Sequence, residues 1–509
     1  MSRPIVDPCH KIDQGICMFR YFRIASLALA ACLASGSAQA IDPFFPTFGN
    51  NGIDVLHYGL ELDVTPATGQ LDARASLLVF AQQRLTKFRL DLHGLSVTNV
   101  RINGVPATFT RVDDKLEITP RWPIRAGAVF RTLVTYSGTP EPIEDPTDSD
   151  YQLGWFKYSD ATYVVSEPVG ASTFYPANDE LTDKATFTTA ITVPAAYKAA
   201  ANGVLKSVRA IGGKKRFVWD MRQKMTTWLA TVHINDAFTV SRARTSDGIP
   251  ITVYATPTTP AAEVRNHLSA RLMIPYFEQL IGRYPFESYA AAVVDDPLLY
   301  YALETQTIST FPHGTPDEIA IDEAFVAHEL GHQWFGNSVS LRNWKDIWIA
   351  EGGATYLEIL WPNRNDPAAF KAAMEENYDY VVDEELGPAV ISSPEDLFNE
   401  TVYYRGAATL YALQLRVGKP TFIRILRAFL ATYRGGNAST EDFIRTAVRI
   451  SGKPGVRNFL RHWLYDETVP PLPGYTATAT TKRGPVARPD IVGARCGPVR
   501  HRGAPESCR

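Results

Sequence analysis

Cysteine is scarce in this 509-residue chain, with five in all. Cys9, Cys17 and Cys32 fall in the first forty residues, which leaves only Cys496 and Cys508 near the other end. So few thiols exclude a disulfide-built fold, and the late pair, in an exported chain, reads as one small disulfide. Charge of one sign is missing too. Lys plus Arg number 51 against 54 Asp plus Glu, a net charge of −3. That balance gives no basic surface for nucleic acid, and there is no acidic tail. The longest apolar run near the start, Ile24–Leu33, is too short to span a bilayer. Internal repeats are absent. What remains, 45% apolar and 21% charged, is an ordinary globular composition, long enough for two domains with full cores.

Arg20 and Arg23 precede the apolar run, and small residues ending in Ala38-Gln39-Ala40 follow it. A positive start, a short apolar centre and an A-x-A site read as a secretory signal peptide over residues 1–40, with Met18 the better initiator. Leu29-Ala30-Ala31-Cys32 resembles a bacterial lipoprotein box, so the alternative is a lipoprotein anchored through Cys32. The expectation is an exported chain, periplasmic or secreted, with no transmembrane segment in its mature part.

From Asp54 to about Arg242 the sequence reads as β. HYGLELDV, ARASLLVF, FRLDLHGL, VFRTLVTYSG, ATFTTAITVP and RFVWDM alternate or carry β-branched runs between Gly, Pro, Asn and Asp. Near Ala261 the period changes: EVRNHLSARLMIPYFEQLIG is helical, AAAVVDD is strand-like, and STEDFIRTAVRISG has a helix start at Ser439 and a stop at Gly452. The expected class is α+β. An N-terminal antiparallel saddle or sandwich occupies residues 41–242, a mixed-to-helical domain 243–472, and an irregular tail with the Cys496–Cys508 pair 473–509.

The stretch IDEAFVAHELGHQWFGN, from Ile321 to Asn337, contains His328-Glu329-Leu330-Gly331-His332. Four residues along a helix is about 40° around it, so both imidazoles face one way and make half of a tetrahedral zinc site. Glu329 then lies beside the metal, where a general base for water belongs. H-E-x-x-H alone arises by chance in roughly one chain of this length in a hundred. Glu351, nineteen residues after His332, strengthens it. With the first helix stopping at Gly336-Asn337 and a second running from about Trp344 to Leu360, Glu351 falls mid-helix as the third ligand. A third histidine of the H-E-x-x-H-x-x-G-x-x-H kind is excluded, because Phe335 and Ser338 hold those places.

His328 through Asn337, followed by Trp348-Ile349-Ala350-Glu351-Gly352, resembles the zinc signature of the aminopeptidase N and leukotriene hydrolase family. Phe174-Tyr175-Pro176-Ala177-Asn178-Asp179-Glu180 with Lys184-Ala185-Thr186-Phe187 is similar to a family stretch in the β domain. The resemblance runs from about His57 to Leu472 and implies a thermolysin-like catalytic domain holding one zinc ion through His328, His332 and Glu351. It also implies three further positions. Tyr301-Ala302-Leu303-Glu304-Thr305 matches the family's G-A-M-E-N, keeping the glutamate but placing Tyr301 where the family has glycine. Glu167 matches a second acidic position, and Tyr403 the catalytic tyrosine, with Tyr404 its neighbour. Substrate binding is thereby expected at Glu304, Glu167 and Ala302. Longer family members continue with a helical domain over the cleft, whereas only about a hundred residues follow Glu351 here before the tail.

The function these residues imply is removal of the first residue from peptides with a free amino terminus, by zinc, Glu329 and Tyr403. Two rivals stand beside it: an endopeptidase of the same site chemistry, which needs neither Glu304 nor Glu167 as amine ligands, and a non-catalytic binding homologue. The oligomeric state is not legible.

Overall fold

In the computed structural model, residues 42–313 and 321–475 are described; the leader, Cys496 and Cys508 lie outside them. The β region is built first. Gln70–Ala81 shows its logic: Leu71, Ala73, Ala75, Leu77, Val79 and Ala81 face the core, while Asp72, Arg74 and Ser76 between them point outward. Eight strands join one sheet in the order Val204–Ile211, Lys214–Met225, Ala185–Pro194, Ile53–Thr65, Gln70–Ala81, Val129–Gly138, Ser96–Ile102 and Val105–Pro106. Its pairings are antiparallel except one, since Ile53–Thr65 runs parallel to Ala185–Pro194. A five-stranded sheet, with Ala161–Val165 at its centre, ends close to Glu167.

The change of sheet falls at Thr239–Arg244, across Arg242. That strand pairs with Pro250–Ala255 in a four-stranded sheet, which Tyr289–Val294 and Ile308–Pro312 continue in parallel. Nine α-helices are described: α1 (Ala261–Leu268), α2 (Ala270–Ile281), α3 (Glu323–Gly331), α4 (Trp348–Leu360), α5 (Pro367–Asp383), α6 (Gly406–Val417), α7 (Lys419–Tyr433), α8 (Thr440–Ser451) and α9 (Gly455–Tyr465). The α8 start is a capping box between Ser439 and Asp442, and Gly452 closes it in the left-handed region. The class is α+β, as expected.

Two helix boundaries differ from the sequence reading. The first motif helix, α3, ends at Gly331 with His332 as its C-cap, not at Gly336-Asn337. Beyond it the chain tightens, Gln333 and Trp334 donating three residues back to Leu330 and Gly331. This turn lays Phe335 against Gly353. Glu351 sits in the first turn of α4 rather than its middle, because Trp344–Asp346 forms a separate short turn. Helix α4 is gripped tightly on its other side. A Cβ at Gly352 would lie 2.7 Å from backbone atoms of Gly406 in α6, so only glycine lets these helices meet.

The β region and the helical region share one interior. Trp228 and Trp344 rings pack 5.7 Å apart across it. Lys184, 3% exposed, reaches from the strand start at Ala185 to the chain after α3. Its ammonium donates to the carbonyls of Asn337 (2.8 Å) and Ser338 (3.2 Å), the Ser340 hydroxyl (2.9 Å) and the Gly436 carbonyl (3.4 Å).

Candidate active site

Asp322 caps α3 by accepting from the Phe325 amide, and one turn later His328 and His332 point the same way. Their Nε2 atoms are 3.1 Å apart. Glu351 Oε2, from α4, is 3.4 Å from His328 Nε2 and 3.3 Å from His332 Nε2. All three residues are at most 3% exposed. Each imidazole uses its other nitrogen elsewhere: His328 Nδ1 meets Glu358 Oε2 at 2.9 Å, and His332 Nδ1 meets the Phe335 carbonyl at 3.2 Å. Those partners assign the protons to Nδ1 and leave two Nε2 lone pairs and a carboxylate oxygen converging. Edges of 3.1, 3.3 and 3.4 Å match one face of a tetrahedron with ligand bonds of about 2.0–2.1 Å. The donor set fits one zinc ion.

Around this triangle lies one cavity, which all eight expected residues line: Glu167, Ala302, Glu304, His328, Glu329, His332, Glu351 and Tyr403. Tyr301, Leu303 and Phe398 complete the wall. Glu329 is buried, and its Oε2 has no hydrogen-bond partner among the described residues. Burial, opposed by the two imidazoles and helped by Glu304 and Glu351, pushes its carboxyl up to about 8, a balance that a divalent cation in the triangle would shift back toward the carboxylate. Glu351 stays ionised: burial works against it, but His332 and His328 in their protonated forms hold it down at about 2, a part that a cation bound to the neutral imidazoles would take over.

The Tyr403 ring stacks on His328 at 6.1 Å between centroids. It sits in a single π-helical turn, Thr401–Arg405, a form that recurs at functional sites. Burial and four nearby carboxylates raise its phenol well above the ordinary range, so it is a proton donor. Tyr404 instead packs on Tyr380 and is only half-buried. Arg405, the next residue, is buried and donates to the carbonyls of Trp463, Leu386, Asp466 and Glu467.

Carboxylate oxygens of Glu167, Glu304 and Glu351 come within 4.8 Å of one another. Burial and mutual repulsion raise the first two above the usual carboxylate range. Glu304 is reached through a hairpin on the edge of the four-stranded sheet, where Leu303 and Thr310 exchange both backbone bonds at 2.8 Å. Tyr301 lies beside Glu167, whose charge acts on its phenol.

Two contributors, Glu358 and Phe398, escaped the sequence reading, and two more, Gln333 and Asn337, entered it only as letters of the zinc signature. Glu358 stands seven residues after Glu351, two turns along the same helix face, a spacing that pointed to it. Gln333, Asn337 and Phe398 carried no such periodic signal. His233 is buried and bonds to Thr231 and Thr310, a structural role.

Residues 55–229 match the peptidase M1 N-terminal domain, and residues 269–463 the peptidase family M1 domain. An M1 zinc metallopeptidase mutant from Deinococcus radiodurans, solved with Tyr-Ser-Ala substrate, superimposes with a TM-score of 0.78 at 31% identity. That match covers 85% of this chain and 98% of the other. The chain belongs to peptidase family M1. Among curated relatives, aminopeptidase A of Gloydius brevicauda is 27% identical over 58% of this chain. Aminopeptidase M1 of Arabidopsis thaliana is 26% identical over 60%. The chain spans only 33% and 36% of those relatives' lengths. No described helix is long and apolar enough to cross a membrane.

Proposed function

We propose that the protein is a zinc aminopeptidase that removes the first residue from peptides with a free amino terminus. The observation that carries this is the crowding of Glu167 and Glu304 beside the His328–His332–Glu351 triangle, within 4.8 Å of Glu351. An α-ammonium brought there would favour their charged forms and be held by them, which leaves the first peptide bond next to the triangle.

Zinc, when bound, supplies Lewis acidity, acidifying water and polarising a carbonyl oxygen. Glu329 takes the proton of the attacking water and returns it to the leaving amine. The Tyr403 hydroxyl donates to the carbonyl oxygen as negative charge develops on it. Glu358 and the Phe335 carbonyl fix the orientation of His328 and His332 throughout. Glu304, with Glu167, binds the ammonium by charge-assisted contacts, and Ala302 lines the wall beside them.

The endopeptidase reading gives Glu304 and Glu167 no part in holding the substrate. The non-catalytic reading does not explain why ligands and base are all present. The test is cleavage of short peptides with free and acetylated amino termini, with zinc measured on the same sample. Discrimination by tens- to hundreds-fold in kcat/KM is expected from losing one charge-assisted contact, roughly 2–4 kcal/mol. Equal cleavage moves the assignment to an endopeptidase. Export through the leader at residues 1–40 is the second part of the proposal, checked by the amino-terminal sequence of the protein recovered outside the cytoplasm.

A further inference from the structure

Glu304 is not carried by a helix or the body of a strand. It immediately precedes the turn Thr305–Ile308, closed by the Ile308 amide donating to the Thr305 carbonyl at 3.0 Å, and that turn is unusual. Thr307 has φ +68°, a left-handed conformation that a β-branched residue adopts only when its surroundings impose it. The imposing groups are visible. Gln333, 0% exposed and next to the ligand His332, spans the turn with one side-chain amide. Its Nε2 donates to the Glu304 carbonyl at 3.0 Å, and its Oε1 accepts from the Thr307 amide at 2.8 Å. Asn337 Nδ2 donates to the same Glu304 carbonyl at 2.7 Å.

We propose that Gln333, with Asn337 beside it, is the positioning residue that fixes the Glu304 carboxylate at a set distance from the metal-binding helix end. The chemistry is specific. A donor and an acceptor are needed on two separate atoms of one buried terminal group; an ionised carboxylate and a thioether lack the donor, and a hydroxyl offers both functions only from a single atom. Because Gln333 follows His332 directly, a movement of the ligand end of α3 carries the Glu304 turn with it. The spacing between the metal and the ammonium site, and hence which peptide bond is presented, is thus set by two side-chain amides. This rests on the aminopeptidase reading above and names the residues that give it its register.

The test is a double-mutant cycle on zinc-loaded enzyme, using one peptide with a free and an acetylated amino terminus. Q333M removes both bonds at similar volume. It is expected to lower kcat/KM on the free-amine peptide about tenfold, mainly through KM, with zinc content unchanged. On the acetylated peptide, and in the E304A background, the same change should cost less than twofold. A residue that merely supports the fold would cost the same factor in every arm, and that result, or no loss at all, overturns the proposal. If Q333M does not yield folded, zinc-loaded protein, N337A carries the same cycle with a loss of a few-fold and the same criteria. Lack of discrimination by the unmutated enzyme defeats the aminopeptidase reading. Discrimination with additive losses defeats this inference alone.

Discussion

The two halves of the cavity are held in place by different means. His328, Glu329 and His332 take their positions from one turn of α3, and Glu351 from a helix locked to its neighbour at Gly352 and Gly406. Glu304 and Glu167 come from loops of two different domains, and the Glu304 backbone owes its place to the side chains of Gln333 and Asn337. A helix positions its groups through backbone bonds alone, whereas a loop borrows rigidity from whatever pins it. The metal half should therefore respond chiefly to substitutions of its ligands and base and of the groups that touch them, such as Glu358. The carboxylate half should also respond to substitutions that touch no substrate.

The largest effect falls on the metal half. A chelator should abolish activity, and added zinc should restore it in full, with about one zinc per chain by metal analysis. Activity that persists in metal-free protein would overturn the triangle as the reactive centre. Next comes E329Q, expected to keep its zinc while losing roughly 10⁴-fold in kcat, the upper end of what general acid–base catalysis contributes. Y403F should lose about 10²-fold, since removing one donor to a developing oxyanion costs at least that much. If Y404F is the impaired variant and Y403F is not, the stacked ring has been given the wrong role.

On the carboxylate half the losses are smaller and depend on the substrate. E304A should reduce kcat/KM on free-amine peptides by tens- to hundreds-fold, the cost of a charge-assisted contact. Acetylated peptides should lose little further. Equal losses on both would mean that Glu304 acts on the triangle through its 3.6 Å approach to His332 Nδ1, and not on the substrate.

The same division explains what could be read from the sequence. H-E-x-x-H and the later Glu351 are legible because helical periodicity converts spacing into direction. The β and helical regions were equally plain from alternation and capping, as at Ser439 and Gly452. The end of α3 was misplaced because the glycine at 336 looked like a stop, while the chain had already turned at His332 to bring Gln333 under the Glu304 turn. Gln333 and Asn337 carry no periodic mark at all: an amide that bonds to a backbone carbonyl 29 or 33 residues away leaves no trace in local pattern. Lys184 reads as part of a family stretch, but its partners lie more than 150 residues on.

Lys184 offers the most direct sight of that cross-domain pinning, read on stability and not on activity. Its acceptors are three carbonyls and a hydroxyl, all uncharged. Burial, with the Lys224 ammonium adding, pushes its pKa down from 10.5 to about 7. The unfolded chain keeps this proton until about pH 10.5, while the folded chain releases it near 7, so between those values unfolding takes up a proton. Stability from this group is lowest below pH 7, rises with pH across the window and levels off above it. At about 1.4 kcal/mol per unit the full rise is a few kcal/mol. K184M should fold, because each carbonyl keeps another donor: Asn337 the Ser340 hydroxyl, Ser338 the Gly435 amide and Gly436 the Ser340 amide. Other titrating groups cancel in the comparison of the two proteins. Unfolding by denaturant at pH 7 and pH 9.5 should show the unmutated chain gaining stability relative to K184M as pH rises. A gap that stays constant would mean the ammonium keeps its charge in place, held by the four acceptors that join the β domain to the chain beside Glu304.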